Sequence, residues 1–117
     1  MTYRKWIEGC GPQSDSFLAE RIQEELNELS IALDDWFTFS LPGDDEDYQA
    51  SILDEMMDVI FTIKVLCVVK GWNYHAAEQH KIENNLSKLT NGKIKKRSDG
   101  KILKPDGYTP TDMRSYL

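Results

Sequence analysis

The chain has 117 residues and a formal net charge of −6, with 14 Lys+Arg against 20 Asp+Glu. That length suits one domain, and 40% apolar residues suffice for a core, although a chain this short leaves much surface exposed unless it oligomerises. The acidic balance argues against a general nucleic-acid binder. The longest apolar run, Val65 to Val69, is far below the ~20 residues of a membrane span. The first residues, MTYRKWIEGCGPQ, lack the apolar segment of a signal peptide. Cys10 and Cys67 sit in no metal-binding spacing, so a reducing cytoplasm is expected, with no disulfide scaffold and no zinc.

The average charge conceals an asymmetry. Residues 1–87 carry 17 acids and 6 bases, whereas residues 88–117 carry 8 bases and 3 acids. Either the tail is a solvated arm, or the acids bind metal while the basic segment meets an anion attached to that metal.

In chain order, residues 2–9 are expected to form a short helix ended by Gly9-Cys10-Gly11-Pro12. A second helix is expected at about 16–37, capped by Asp15 or Ser16. Leu18, Ile22, Leu26, Leu29, Leu33 and Trp36 recur along it at helical spacing. Thr38 to Gly43 breaks it, and Asp44, Asp45, Glu46 and Asp47 then suit the positive end of a third helix. That helix, about 46–70, carries one stripe of Ile52, Met56, Val59, Ile60, Ile63 and Cys67 and another of Leu53, Met57, Phe61 and Val68. A helix apolar on most sides needs neighbours on most sides, which predicts subunit packing; Met56 and Met57 read as core. Gly71 ends this helix, and Asn73 is placed to cap a fourth at about 74–90. Three turn pairs, Asn91-Gly92, Asp99-Gly100 and Asp106-Gly107, divide the tail into short pieces stiffened by Pro105 and Pro110. The reading is one all-α domain over 1–117, with a helical body to about residue 90 and a basic tail from about 91.

The chemistry lies in two carboxylate pairs, Glu25-x-x-Glu28 and Glu55-x-x-Asp58. An i, i+3 pair puts both side chains on one side of a helix. At ~100° per residue, Glu25 falls about 20° beyond the edge of the apolar stripe and Glu28 about 80° beyond it on the same side. Glu55 and Asp58 flank their own stripe similarly. Carboxylates at such positions need a counter-charge. Two pairs facing across a helix seam make an all-oxygen cage suited to Mg²⁺ or Mn²⁺. The same spacings occur on ordinary solvated helix faces, so the motif alone does not decide. Glu24 points away from the stripe, toward solvent or a surface pair.

The string Glu24-Glu25-Leu26-Asn27-Glu28-Leu29 is followed, after a 26-residue gap between Glu28 and Glu55, by Glu55-Met56-Met57-Asp58-Val59. This resembles the ExxE and ExxD signature of the MazG-like all-α nucleoside triphosphate pyrophosphohydrolases. A second block, Asn85-Leu86-Ser87-Lys88, Asn91-Gly92-Lys93, Asp99-Gly100-Lys101, Lys104 and Tyr108-Thr109-Pro110-Thr111-Asp112, resembles the tail of phage and bacterial members related to phosphoribosyl-ATP pyrophosphatase. Together the blocks cover about residues 18–113. Asn84, where serine is expected, and the basic run Lys95-Lys96-Arg97 depart from that pattern.

The resemblance implies a helical bundle assembled as a dimer or tetramer, with an irregular C-terminal lid. It implies Glu25, Glu28, Glu55 and Asp58 as ligands of Mg²⁺ or Mn²⁺. Asn85 and Lys88 would hold phosphate oxygens from the helix before the tail, with Lys88 stabilising charge there, and Lys101, Lys104 and Tyr108 match the tail motif. The reaction would release a monophosphate and pyrophosphate from an NTP or dNTP in nucleotide-pool control, with Glu25 or Glu28 as the first candidates to activate water. No glycine-rich phosphate loop is present, so metal and basic groups carry the phosphates. Trp6, Trp36, Trp72, Phe39 and Tyr108 are candidate base platforms, with packing the commoner role for each tryptophan. Specificity is sought in the tail aromatics and in loop 38–43. His75 and His80 are read as solvent or interface residues. The competing readings are phosphoribosyl-ATP pyrophosphatase, a non-catalytic helical dimerisation module, and a nucleotide-binding regulator with poor turnover.

Overall fold

The computed structural model describes residues 2–43 and 45–117 and is helical, with no strand among the described residues. The helices are α1 (Thr2–Cys10), α2 (Asp15–Phe39), α3 (Asp45–Lys70) and α4 (Tyr74–Leu86), followed by a single 3-10 turn at Arg114–Tyr116. Asp44, placed by sequence in the acidic entry to α3, lies outside the described residues. Two compact units divide the chain, residues 1–70 and residues 71–117. The division falls 17 residues before the charge boundary at 87/88, because α4 packs with the tail.

In the first unit α2 and α3 lie side by side, and polar contacts fasten both ends of the pair. Trp36 at the end of α2 donates its indole N–H to Asp45 Oδ1 at 2.6 Å, and the Ser40 hydroxyl donates to the same oxygen at 3.1 Å. At the other end Lys70 Nζ meets Asp15 Oδ2 at 2.9 Å. These contacts make the pair antiparallel, with the turn at residues 40–43 between them. The α2 cap is Ser14, whose side chain accepts from the Phe17 amide at 3.1 Å, in place of the expected Asp15 or Ser16. The helix runs on through Thr38 and Phe39, so the break comes at Ser40.

Helix α1 lies against α3, where the Tyr3 and Trp6 rings each sit 5.3 Å from the Phe61 ring. The core of the unit is small: Leu18, Ile52, Val59 and Val65 are its buried apolar side chains among the described residues. Met56 and Met57, expected in the core, are 42% and 48% exposed in the single chain. The reason is geometric. Helix α3 is apolar around most of its circumference, and one chain covers only the sides facing α1 and α2.

In the second unit Gly71 takes the left-handed φ of 74° and Asn73 caps α4 by accepting from the Ala76 amide at 3.1 Å. Helix α4 ends at Leu86, four residues short of expectation. Lys88 therefore lies beyond the helix, in a turn where its amide bonds the Asn85 carbonyl at 3.1 Å. The tail is built from turns and two isolated antiparallel bridges, Thr90–Lys93 and Lys96–Ile102. Its end returns to α4: the Asn73 amide donates to the Tyr116 carbonyl at 2.7 Å, and the His80 and Tyr116 rings are 5.6 Å apart.

Candidate metal centre

Helices α2 and α3 bring Glu25, Glu28 and Glu55 together. One carboxyl oxygen from each lies within 4.8 Å of the others. Glu25 is the innermost, only 7% exposed, which follows from its position at the edge of the α2 stripe. Glu55 is half-buried, and Glu28 and Asp58 are exposed. Asp58, one turn after Glu55 on α3, is outside the three-residue group, but its charge reaches both Glu25 and Glu55.

The electrostatics of this cluster are unbalanced. Burial holds the Glu25 carboxyl above its ordinary 4.5; hydrogen bonding to Glu28 and the Glu28 and Asp58 charges add to this, and Arg21 opposes it. Glu55 is raised in the same direction, first by burial, then by the charges of Glu28, Asp58 and Asp54. Carboxyl groups crowded this closely favour a proton or a cation among them. Glu25 Oε2 and Glu55 Oε2 are moreover shielded from solvent without a hydrogen-bond partner. A buried carboxylate oxygen left unpartnered is costly, and a divalent cation relieves it. The donors are all oxygen, as Mg²⁺ and Mn²⁺ prefer, so the residues fit the ion.

Arg21 supplies the nearest positive charge. Its guanidinium spans two carboxylates, Glu24 at 2.6 Å and Glu25 at 3.0 Å. Glu24 thus forms the surface pair expected of it. Arg21 itself was absent from the sequence reading, although it lies four residues before Glu25 on the same helix face, a spacing that could have revealed it.

Beside the carboxylates a cavity of about 640 Å³ opens among α1, α2 and α3. Its lining combines the aromatic side chains of Trp6, Phe17 and Phe61 with the charged ones of Arg21, Glu24, Glu25 and Asp58. Gln13, from the turn between α1 and α2, also lines it. Of the candidate base platforms, Trp6 is on this wall, whereas Trp36 is engaged by Asp45. Loop 38–43 takes no part in the cavity.

The basic residues named from sequence gather in the second unit. Lys88 Nζ donates to Asn85 Oδ1 at 3.0 Å, and Lys88 and Lys104 sit 5.5 and 5.2 Å from the centre of the Tyr108 ring. The Tyr108 hydroxyl donates to Asn84 Oδ1 at 2.7 Å, and Asn84 Nδ2 donates to the Thr109 carbonyl at 2.7 Å. Asn84, the departure from the expected motif, thus fastens residues 108 and 109 of the tail to α4, beside the attachment made by Tyr116. Lys101 belongs to a different feature, the turn in which its amide donates to Asp99 Oδ1 at 3.0 Å. His75 is exposed, and His80 faces Tyr116. Comparison with known proteins returns no matching family model, no matching curated protein and no matching solved structure.

Proposed function

We propose that the chain is a metal-dependent nucleoside triphosphate pyrophosphohydrolase of the MazG-like type, releasing a monophosphate and pyrophosphate from an NTP or dNTP. The observation that carries this reading is the convergence of Glu25, Glu28 and Glu55 within 4.8 Å, with shielded, unpartnered oxygens on Glu25 and Glu55. The motif resemblance supplies the reaction class.

In this reading Glu25, Glu28, Glu55 and Asp58 hold Mg²⁺ or Mn²⁺. Bound there, the ion would neutralise charge developing on phosphate oxygens and acidify the attacking water. Of the two candidates to accept the proton of that water, Glu25 and Glu28, the exposure of Glu28 favours it. Arg21, free to turn from Glu25 once a cation replaces it, supplies a guanidinium for a phosphate oxygen. Lys88 and Asn85 add phosphate contacts, and the tail carrying Lys101, Lys104 and Tyr108 acts as a lid; these roles rest on the resemblance. The expected setting is dNTP-pool control in the cytoplasm, in a bacterium or a phage-infected host, with dGTP, dCTP or dUTP as substrate type. No helix among the described residues is long and apolar enough to cross a membrane.

The working form is a homodimer or homotetramer. What supports this is the apolar surface left open on α2 and α3, where Ile31, Phe37, Leu53 and Met57 are all exposed. A panel of NTPs, dNTPs and phosphoribosyl-ATP with Mg²⁺, Mn²⁺ or EDTA tests the whole reading. Monophosphate and pyrophosphate formed only with metal would support it. Turnover of phosphoribosyl-ATP alone would transfer the chain to histidine biosynthesis. No turnover at all would leave a helical interaction module.

A further inference from the structure

The cavity beside the carboxylates is divided chemically in a way the metal centre does not require. Glu25 and Asp58 line it together with three aromatic side chains, Trp6, Phe17 and Phe61. Trp6 is 54% and Phe17 45% exposed, so aromatic surface stands open around the mouth. A ligand that carries only phosphate and metal would use the charged groups and leave the aromatic wall wet. A flat ring joined to a phosphate chain would use both.

Gln13 adds direction. It lines the same cavity, and its Oε1 is shielded from solvent with no hydrogen-bond partner. Neither capping nor packing accounts for that oxygen; the neighbouring cap is made by Ser14. The terminal amide torsion is soft, and rotation about it is what would bring the carbonyl to the cavity. A buried acceptor beside an aromatic wall selects a ring that offers an N–H.

Resting on the pyrophosphohydrolase reading, we infer that this cavity is the base subsite. The nucleobase packs against Trp6, Phe17 and Phe61, and an N–H on its edge donates to Gln13 Oε1, while the phosphates reach Glu25 and Asp58 through metal. Gln13 is then a specificity-determining residue: it rewards the base and contributes nothing to metal or phosphate binding.

The test is equilibrium titration of wild-type, Gln13→Leu and Phe17→Ala protein with Mg²⁺ and the α,β-imido analogues of the four common dNTPs. Tripolyphosphate serves as the base-free probe, and helix content is checked by circular dichroism. Both substitutions lie at exposed or loop positions, which keeps the folds comparable. The expected result is a loss of roughly tenfold or more for the best-bound nucleotide in Gln13→Leu, a narrower spread among bases, and unchanged tripolyphosphate affinity. Phe17→Ala should weaken all bases together. Unchanged nucleotide affinity in both variants overturns the subsite, as does an equal loss for tripolyphosphate. Wild-type protein that binds none of the analogues also overturns it. The parent reading fails differently: wild-type protein would bind nucleotides with this base dependence and yet hydrolyse none of them.

Discussion

Arg21 donates to Glu25 Oε1 at 3.0 Å, while Glu25 Oε2 is shielded with no hydrogen-bond partner. One side of the most buried carboxylate is thus neutralised from within its own helix, and the other faces Glu28, Glu55 and the charge of Asp58. The protein holds its acids at a separation that folding alone would disfavour.

Without divalent metal, stability should fall as pH rises from about 4.5. Glu25 and Glu55 both titrate above that ordinary value in the folded chain, so the folded state holds protons that the unfolded state has released. Their repulsion is absent below the unfolded pKa and complete above the raised folded ones. Thermal melts in EDTA across pH 4 to 8 should show the decline, and Glu25→Gln should flatten it. A stability that rises over the same range would contradict the assignment.

Mg²⁺ or Mn²⁺ should reverse that loss. At a hundredfold excess over Kd, binding to the folded state is worth about 2.7 kcal/mol. For a chain of this size that is a melting shift on the order of 10 °C. Glu55→Gln should abolish most of the shift while leaving the helical signal intact. A full shift in that variant would remove Glu55 from the site.

Arg21→Met should tighten divalent-cation binding, by about threefold or more, because the guanidinium competes with metal for Glu25. Turnover should fall nevertheless if the freed guanidinium serves a phosphate oxygen. Mn²⁺ titration and steady-state kinetics separate the two effects; weaker metal binding in this variant would show that Arg21 supports the cage.

Tyr108→Phe removes the hydroxyl that holds Asn84, at a cost of about 1 kcal/mol confined to the tail's attachment. Amide exchange at residues 105–109 should accelerate by about fivefold, with α2 and α3 unaffected. Uniform acceleration along the chain would mean that the tail is part of one cooperative core.

Charged substitutions on the open apolar surface, Ile31→Glu with Leu53→Glu, should convert the oligomer to monomer in sedimentation experiments without loss of helix. Both side chains are more than half exposed in the single chain, so the change costs the fold itself little. A monomeric wild type would refute the oligomer.

The helices were legible in the sequence because their signals are local. Apolar spacing places α2 and α3 within a few residues, and Gly71 and Asn73 mark the α3–α4 junction correctly. Burial was less legible. Met56 and Met57 repeat at core spacing, yet periodicity records which face is apolar and not what covers it. Ends set by competition were missed by small margins: Ser14 outcompetes Asp15 and Ser16 as a cap, and α4 stops at Leu86. Glu25 sits at the stripe edge and is buried as that position implies, whereas Asp58, expected in the same cage, lies outside the group of Glu25, Glu28 and Glu55. Gln13 and Arg21 did not stand out, because a lone glutamine in a turn and an arginine on a helix carry no pattern until a cavity gives them one.

The central claim is that carboxylates on α2 and α3 direct cleavage between the first and second phosphates. The most direct measurement is ³¹P spectroscopy of nucleotide triphosphates incubated with wild-type and Glu28→Gln protein, each with Mg²⁺ and with EDTA. The account predicts monophosphate and pyrophosphate from the wild type with metal, and intact triphosphate in the other three samples. Diphosphate with orthophosphate, or cleavage that survives EDTA or the Glu28→Gln change, would contradict it.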